Sequence, residues 1–150
     1  MLIFTYGANM ASTKYSPNVH FIGKAMALDH KLIFSGSNEY WGHQGYASLR
    51  YYPYSPSKAY GLLFDIDFDG ISFLDVYDNL GLPSKEEFVK APIRVTLFDE
   101  DNELQAYAFV QAKPKLREPS ADYYAKLKSI YARNNFPLET LSEALLDTRR

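Results

Sequence analysis

The hydrophobic pattern of the chain reads as strands first and helices last. Leu2 to Tyr6 is a short, almost continuously apolar run, as in a strand covered on both faces. Gly7 breaks it at once, and Asn9 favours a turn. Ala11 to Asn18 is polar and contains Pro17, which fits a loop or a single helical turn. Val19 to Leu28 is apolar with small residues interleaved, and Lys31 to Phe34 is short and β-prone. Asp29-His30 between them is polar enough for a hairpin turn, so these two runs are expected to pair. Ser35 to Gly45 is loop-like and carries Tyr40 and Trp41. Tyr46 to Tyr52 alternates loosely as a strand does, and Pro53 and Pro56 end it. Tyr60 to Ile66 is apolar nearly throughout, the pattern of a central strand.

The first helical period follows. Asp69 can cap it, Ile71, Leu74, Tyr77 and Asp78 share or border one face, and Leu80-Gly81 with Pro83 stops it. Phe88 to Phe98 returns to a strand pattern, interrupted by Pro92. Asp99-Glu100-Asp101-Asn102 is the clearest turn in the chain, and Leu104 to Ala112 completes a hairpin. Beyond Pro119 the period changes. Ser120 caps a helix with Tyr124, Leu127, Ile130 and Tyr131 on one face. Pro137 opens a last short helix through Leu141, Leu145 and Leu146. Strands joined mostly by short turns favour antiparallel and mixed pairing over a doubly wound parallel sheet. The expected class is α+β: a small mixed sheet or barrel with helices packed on it. With no repeat, low-complexity segment or linker, residues 1–150 are expected to form one domain.

Composition narrows the chemistry. The formal charge of −2 gives no footprint for nucleic acid or an anionic membrane. There are no cysteines, which removes disulfides, thiolate catalysis and cysteine-ligated zinc. The three histidines, His20, His30 and His43, have no metal-ligand spacing, so no metal is expected. No run approaches the roughly 20 apolar residues of a membrane span, and the N-terminus lacks the pattern of a signal peptide. The expected location is cytoplasmic. Thirteen tyrosines supply rigid surface with a hydrogen-bonding tip, which suits a polar-lined pocket or a tightly packed sheet. Nothing in the pattern sets an oligomeric state.

No nucleophile elbow, P-loop, dinucleotide fingerprint or zinc-protease motif occurs. What remains is carboxylates, tyrosines and backbone donors. An apolar strand running into a glycine turn, as at Tyr6-Gly7-Ala8-Asn9-Met10, can aim successive N–H groups at an anion or a polarised carbonyl. It can equally be an ordinary tight turn. Asp75 and Asp78 are neighbours at i and i+3, and like charge with partial burial raises a carboxyl pKa toward the range of a general base. One solvated aspartate with the other bonded to a nearby backbone N–H reads the same way. Asp65, Asp67 and Asp69 fit turn and cap chemistry better than a calcium loop. His43, between Gly42 and Gly45, can approach a ligand or lie on the surface. Tyr107, between Ala106 and Ala108, can be a pocket wall or core packing. Tyr51, Tyr52 and Tyr54 with Pro53 and Pro56 can stack on an extended partner or end an edge strand.

Taken in order, these motifs resemble the gamma-glutamylcyclotransferase-like family. That family opens with a strand and a Y-G-S-N-[LM] loop, here Tyr6-Gly7-Ala8-Asn9-Met10. A glycine segment leads into a strand, here Gly45-Tyr46-Ala47-Ser48-Leu49 after Trp41, and V-[WY]-G follows as Ala59-Tyr60-Gly61-Leu62. The L-D-x-x-E-G helix corresponds to Leu74-Asp75-Val76-Tyr77-Asp78-Asn79, and an aromatic, Phe88, starts the next strand. Tyr107 stands for a later strand tyrosine, and P-S-x-x-Y is Pro119-Ser120-Ala121-Asp122-Tyr123. The likeness runs over about residues 2 to 137.

The resemblance implies a small mixed/antiparallel β-barrel with flanking helices. It also implies a cofactor-independent acyl transfer in which the α-amine of a gamma-glutamyl group attacks its own side-chain carbonyl. That closes 5-oxoproline and expels an amine or amino acid. Asp78 would be the acid/base, Tyr6, Gly7, Ala8, Asn9 and Met10 the binding loop, and Tyr107 a pocket wall. The partner would be a small gamma-glutamyl substrate or carboxylate ligand, with neither nucleic acid nor membrane. Three departures stand out. The family glutamate is Asp78, one methylene shorter; the glycine after it is Asn79; the loop serine is Ala8. The stretch from Asp78 to Phe88 is also long, and Glu86 or Glu87 can in principle reach back. The alternative to an enzyme is a non-catalytic member of the fold that binds a small carboxylate or amino-acid metabolite. A third reading is an interaction protein that uses its tyrosine-rich loops.

Overall fold

Two sheets organise the molecule, and the first is a closed barrel in the order β1-β5-β2-β6-β7. The structure is a computed structural model that describes residues 1–13, 19–36, 44–54, 58–66 and 88–150. The barrel strands are β1 (Leu2–Thr5), β2 (Val19–Leu28), β5 (Lys58–Ile66), β6 (Phe88–Leu97) and β7 (Glu103–Gln111). The second sheet pairs β3 (His30–Ser35) with β4 (Tyr46–Tyr51). Helix α1 (Met10–Thr13) follows β1, and α2 (Ala121–Asn134) and α3 (Glu139–Asp147) end the chain. This is the α+β barrel with flanking helices that the sequence implies.

β5 is the central strand expected from its apolar run. It pairs antiparallel with β1, Ile3 facing Phe64, and with β2, Ala25 facing Gly61. A bulge between Phe21 and Gly23 bends β2. The β6–β7 hairpin forms as the Asp99–Asn102 turn predicts, with Val95 opposite Leu104. Pro92 sits in β6 where, among the described residues, the pairing of Val95 to Leu97 with β2 has not yet begun. One open edge is where a residue without an N–H is tolerated. The ring closes through a single parallel bridge, Ile3 to Tyr107.

Glycine is required at residue 61. A Cβ there would lie 2.2 Å from the Thr5 carbonyl oxygen and 2.7 Å from the Phe4 ring. β1 and β5 can approach this closely only without a side chain between them.

The expected hairpin between the Val19 and Lys31 runs does not form. β2 already has β5 on one edge and β6 on the other, so no edge is left for β3. Asp29 instead adopts a left-handed conformation, φ 58°, and redirects the chain out of the barrel. β3 then pairs along its length with β4, His30 opposite Tyr51 and Ser35 opposite Tyr46.

The chain from Lys115 to Pro119 runs beside this second sheet. Gly36 N–H donates to the Lys115 carbonyl at 3.0 Å, Arg117 N–H to that of Phe34 at 3.1 Å and Gly45 N–H to that of Glu118 at 2.9 Å. Those contacts fix where α2 starts. Ser120 caps it as the sequence predicts, its Oγ accepting the Tyr123 N–H at 3.1 Å. Asn135, at φ 58°, ends it in the left-handed cap. α2 buries Leu127, Ile130 and Tyr131, and α3 buries Leu141 and Ala144. The helix expected after Asp69 lies outside the described residues.

Candidate functional site

β1 delivers its last residues into a turn closed by two short-range bonds. Met10 N–H donates to the Gly7 carbonyl at 3.0 Å, and Ala11 N–H to that of Ala8 at 3.2 Å. The turn opens helix α1 and forms one wall of a cavity of about 230 Å³. Tyr6, Gly7, Ala8 and Asn9 line it, together with Ile3, Phe4 and Thr5 of β1. The other walls are Tyr46 and Ala47 of β4, Phe88 of β6, Phe109 of β7, and Tyr123 and Lys126 of α2. The site therefore sits where barrel, second sheet and helix α2 meet.

Tyr6 is buried, and its hydroxyl donates to the Phe109 carbonyl at 2.6 Å and is also bonded to the Ser48 hydroxyl. Burial drives its pKa far above the ordinary tyrosine value, so it stays neutral and acts as a fixed wall.

Tyr123 is the better-placed donor. Its hydroxyl oxygen accepts the Ala47 N–H at 3.0 Å and the Ala8 N–H as well. Burial, the largest cause, pushes its pKa up to about 12, with the two amides pulling the other way and Tyr46 adding to the rise. Two N–H groups fill the acceptor capacity of a hydroxyl, which leaves its hydrogen to donate to a third group. Edge-on contact with the Tyr46 ring, centroids 5.0 Å apart, holds the orientation.

Of the residues singled out from the sequence, Tyr6, Gly7, Ala8 and Asn9 come together at this cavity. Met10 does not line it; its side chain is buried in the core and its amide is bound within the turn. The Ala8 amide is likewise occupied, so part of the expected backbone nest acts through the Tyr123 hydroxyl. Tyr107 lies elsewhere. It lines a separate cavity of about 790 Å³ with His30, Tyr51 and Arg94, and Lys90 stands over its ring. Phe109, two residues on and on the same face of β7, is the one at the 6–9 cavity. Asp75, Asp78, Glu86 and Glu87 lie outside the described residues, as does His43. Phe88, the expected aromatic at the head of a strand, is at the cavity wall. Sequence reasoning did not single out Tyr123 or Lys126 as site residues. The P-S-x-x-Y motif was the available signal for the first, and the i, i+3 spacing then gives the second.

Among the described residues no group of three or more histidine, aspartate or glutamate side chains could hold a metal ion, and no helix is long and apolar enough to cross a membrane.

No protein-family model and no curated protein matches the chain. Solved structures match it in fold. A protein described as gamma-glutamyl cyclotransferase superposes with a TM-score of 0.73 at 20% identity, covering 96% of this chain and 85% of that one. An uncharacterized protein from Homo sapiens gives 0.72 at 20%, covering 95% and 85%. A gamma-glutamyl cyclotransferase from yeast described as specific to glutathione gives 0.63 at 11%, covering 100% and 99%. The chain thus has the gamma-glutamylcyclotransferase-like fold.

Proposed function

We propose that the cavity behind the 6–9 loop binds a gamma-glutamyl compound and closes it to 5-oxoproline. The observation that carries this reading is the meeting of that loop with Tyr123 around one small cavity, in a chain with the cyclotransferase fold. The reaction is internal to the substrate. The α-amine nitrogen forms a bond to the γ-carbonyl carbon, the amide C–N bond breaks, and the departing nitrogen takes a proton. Both reacting groups are in one molecule, so holding it in the cyclising conformation supplies much of the rate. Asp78 takes the ammonium proton and returns it to the leaving nitrogen. The 6–9 loop and the Tyr123 hydroxyl donate to the substrate carboxylate or to the oxyanion as charge develops there. The chemistry needs no cofactor.

A panel of gamma-glutamyl amines, gamma-glutamyl amino acids and glutathione, assayed for 5-oxoproline, tests the proposal. Product is expected from at least one compound, and Asp78→Ala should lower its rate by 10²-fold or more, about the contribution of a general base. Asp78→Glu restores the longer carboxylate and should retain or raise activity. Absence of product from every compound overturns the catalytic reading. Product undiminished in Asp78→Ala moves the base to Glu86 or Glu87. The shortened carboxylate and the missing hydroxyl at Ala8 favour one second reading: a protein that binds a small carboxylate in the same cavity without turning it over. It predicts saturable binding with no 5-oxoproline.

A further inference from the structure

The cavity carries a charge that ring closure does not require. Among the described residues that line it, Lys126 is the one charged side chain, and none is acidic. Lys126 follows Tyr123 by three residues in α2, so the two occupy one face of the helix. Tyr123 is half-buried while Lys126 is exposed, which places the ammonium at the rim and the phenol deeper. Lys24 bonds the Asn134 carbonyl at 3.0 Å, Lys31 meets Asp147 at 3.2 Å and Lys90 lies over Tyr107, all away from this cavity. Lys126 has no bond or ion pair with any described residue. A rim cation without a partner among the described residues favours ligands that bring negative charge to the mouth.

Building on the gamma-glutamyl reading, we propose that Lys126 selects substrates whose departing amine itself carries a carboxylate: gamma-glutamyl amino acids over gamma-glutamyl amines. The gamma-glutamyl head holds one ammonium and one carboxylate and is neutral overall, so it gives a lone cation little to prefer. Bound at the 6–9 loop, the head leaves the departing group toward the open rim. In a gamma-glutamyl amino acid the second carboxylate is two bonds beyond the scissile nitrogen. A long, flexible lysine stem can follow it across small changes of side chain. Lys126 is thus a specificity-determining residue that leaves the bond-making step alone.

The test compares gamma-glutamyl-L-alanine with gamma-glutamyl ethylamide, the same molecule lacking the second carboxylate. Binding to the full chain is followed by calorimetry, and turnover by 5-oxoproline release, for wild type, Lys126→Gln, Lys126→Arg and Lys126→Glu. Wild type should prefer the alanine compound. Lys126→Gln should weaken it about five- to tenfold in Kd or KM with kcat unchanged, and leave the ethylamide alone. A rim charge is screened by water, which keeps the effect modest. Lys126→Arg should retain the preference and Lys126→Glu should invert it. Raising salt to about 0.5 M should shrink it in wild type and Lys126→Arg and leave Lys126→Gln unaffected. Equal weakening of both ligands would mean that Lys126 holds the glutamyl carboxylate instead, and overturns the proposal. So does an unchanged preference, or a wild type that binds neither compound. Selective binding without 5-oxoproline sustains the role of Lys126 and overturns turnover; 5-oxoproline formed without selectivity does the reverse.

Discussion

The barrel is joined to its surroundings along two seams of opposite character. Toward the second sheet the seam is polar and closed on itself. The Tyr6 hydroxyl reaches the Phe109 carbonyl and the Ser48 hydroxyl, and Ser48 Oγ accepts the Gln111 N–H at 3.1 Å. The Gln111 amide then exchanges two bonds with Ser35, Oγ to Oε1 at 2.5 Å and Nε2 to the carbonyl at 2.7 Å. All five residues are buried. Toward the helices the seam is apolar, built from Leu127, Ile130, Phe136, Leu141 and Ala144. Its Tyr131 hydroxyl is buried and has no hydrogen-bond partner among the described residues. Hydrogen bonds are directional and apolar contact is not, so the polar seam fixes one orientation while the apolar one supplies adhesion. The candidate site opens on the polar seam, where position matters most.

Cutting the polar seam should have the largest effect. Gln111→Ala removes two buried side-chain bonds and strands the hydroxyl and carbonyl of Ser35, while the backbone N–H bond to Ser48 remains. Each stranded group costs about 1–3 kcal/mol, so a loss of roughly 3 kcal/mol in urea unfolding is expected, with weaker ligand binding alongside. A loss under 1 kcal/mol would show that the network is not cooperative.

Alkali should distinguish the seams next. Burial raises the pKa of Tyr6, Tyr123 and Tyr131 above 10, that of Tyr123 to about 12. Above pH 10 the unfolded chain releases these protons while the folded one keeps them, so it is the unfolded state that gains. Their contribution is therefore complete below pH 10 and is lost as pH rises toward and through the folded values. The melting temperature should fall from pH 10 upward, together with the rise of tyrosinate absorbance. A flat profile to pH 12 would contradict the burial of these phenols.

The smallest effect should have the opposite sign. Tyr131→Phe removes the unpartnered hydroxyl from the apolar seam and should stabilise the protein by about 1 kcal/mol. It should also soften the alkaline decline. Destabilisation would reveal a partner for that hydroxyl.

Local features were readable from the sequence because their causes are local. Asp99 to Asn102 makes the β6–β7 turn, Ser120 caps α2, and Gly7 ends the strand whose turn lines the cavity. Long-range pairing was less legible. Asp29-His30 has hairpin chemistry, yet β5 and β6 already flank β2, and nothing within residues 19–34 records that. The shift from Tyr107 to Phe109 has a similar cause. Residues two apart share a strand face, so alternation identifies the face but not the height along it. Tyr123 was visible only as a motif letter, because its role depends on Ala8 and Ala47 arriving from distant parts of the chain.

The closure of the barrel bears on how the site can move. β1 is held to β5 by four consecutive residue pairs and to β7 by one. A hoop fastened this unevenly gives way along its looser line. The Tyr6 hydroxyl crosses that same line to the Phe109 carbonyl, so a side chain serves as the clasp where backbone rungs are few. The strand that would swing when the clasp opens is the one that ends in the 6–9 loop. Rigidity of the hoop and preorganisation of the cavity are therefore one property, fastened at Tyr6.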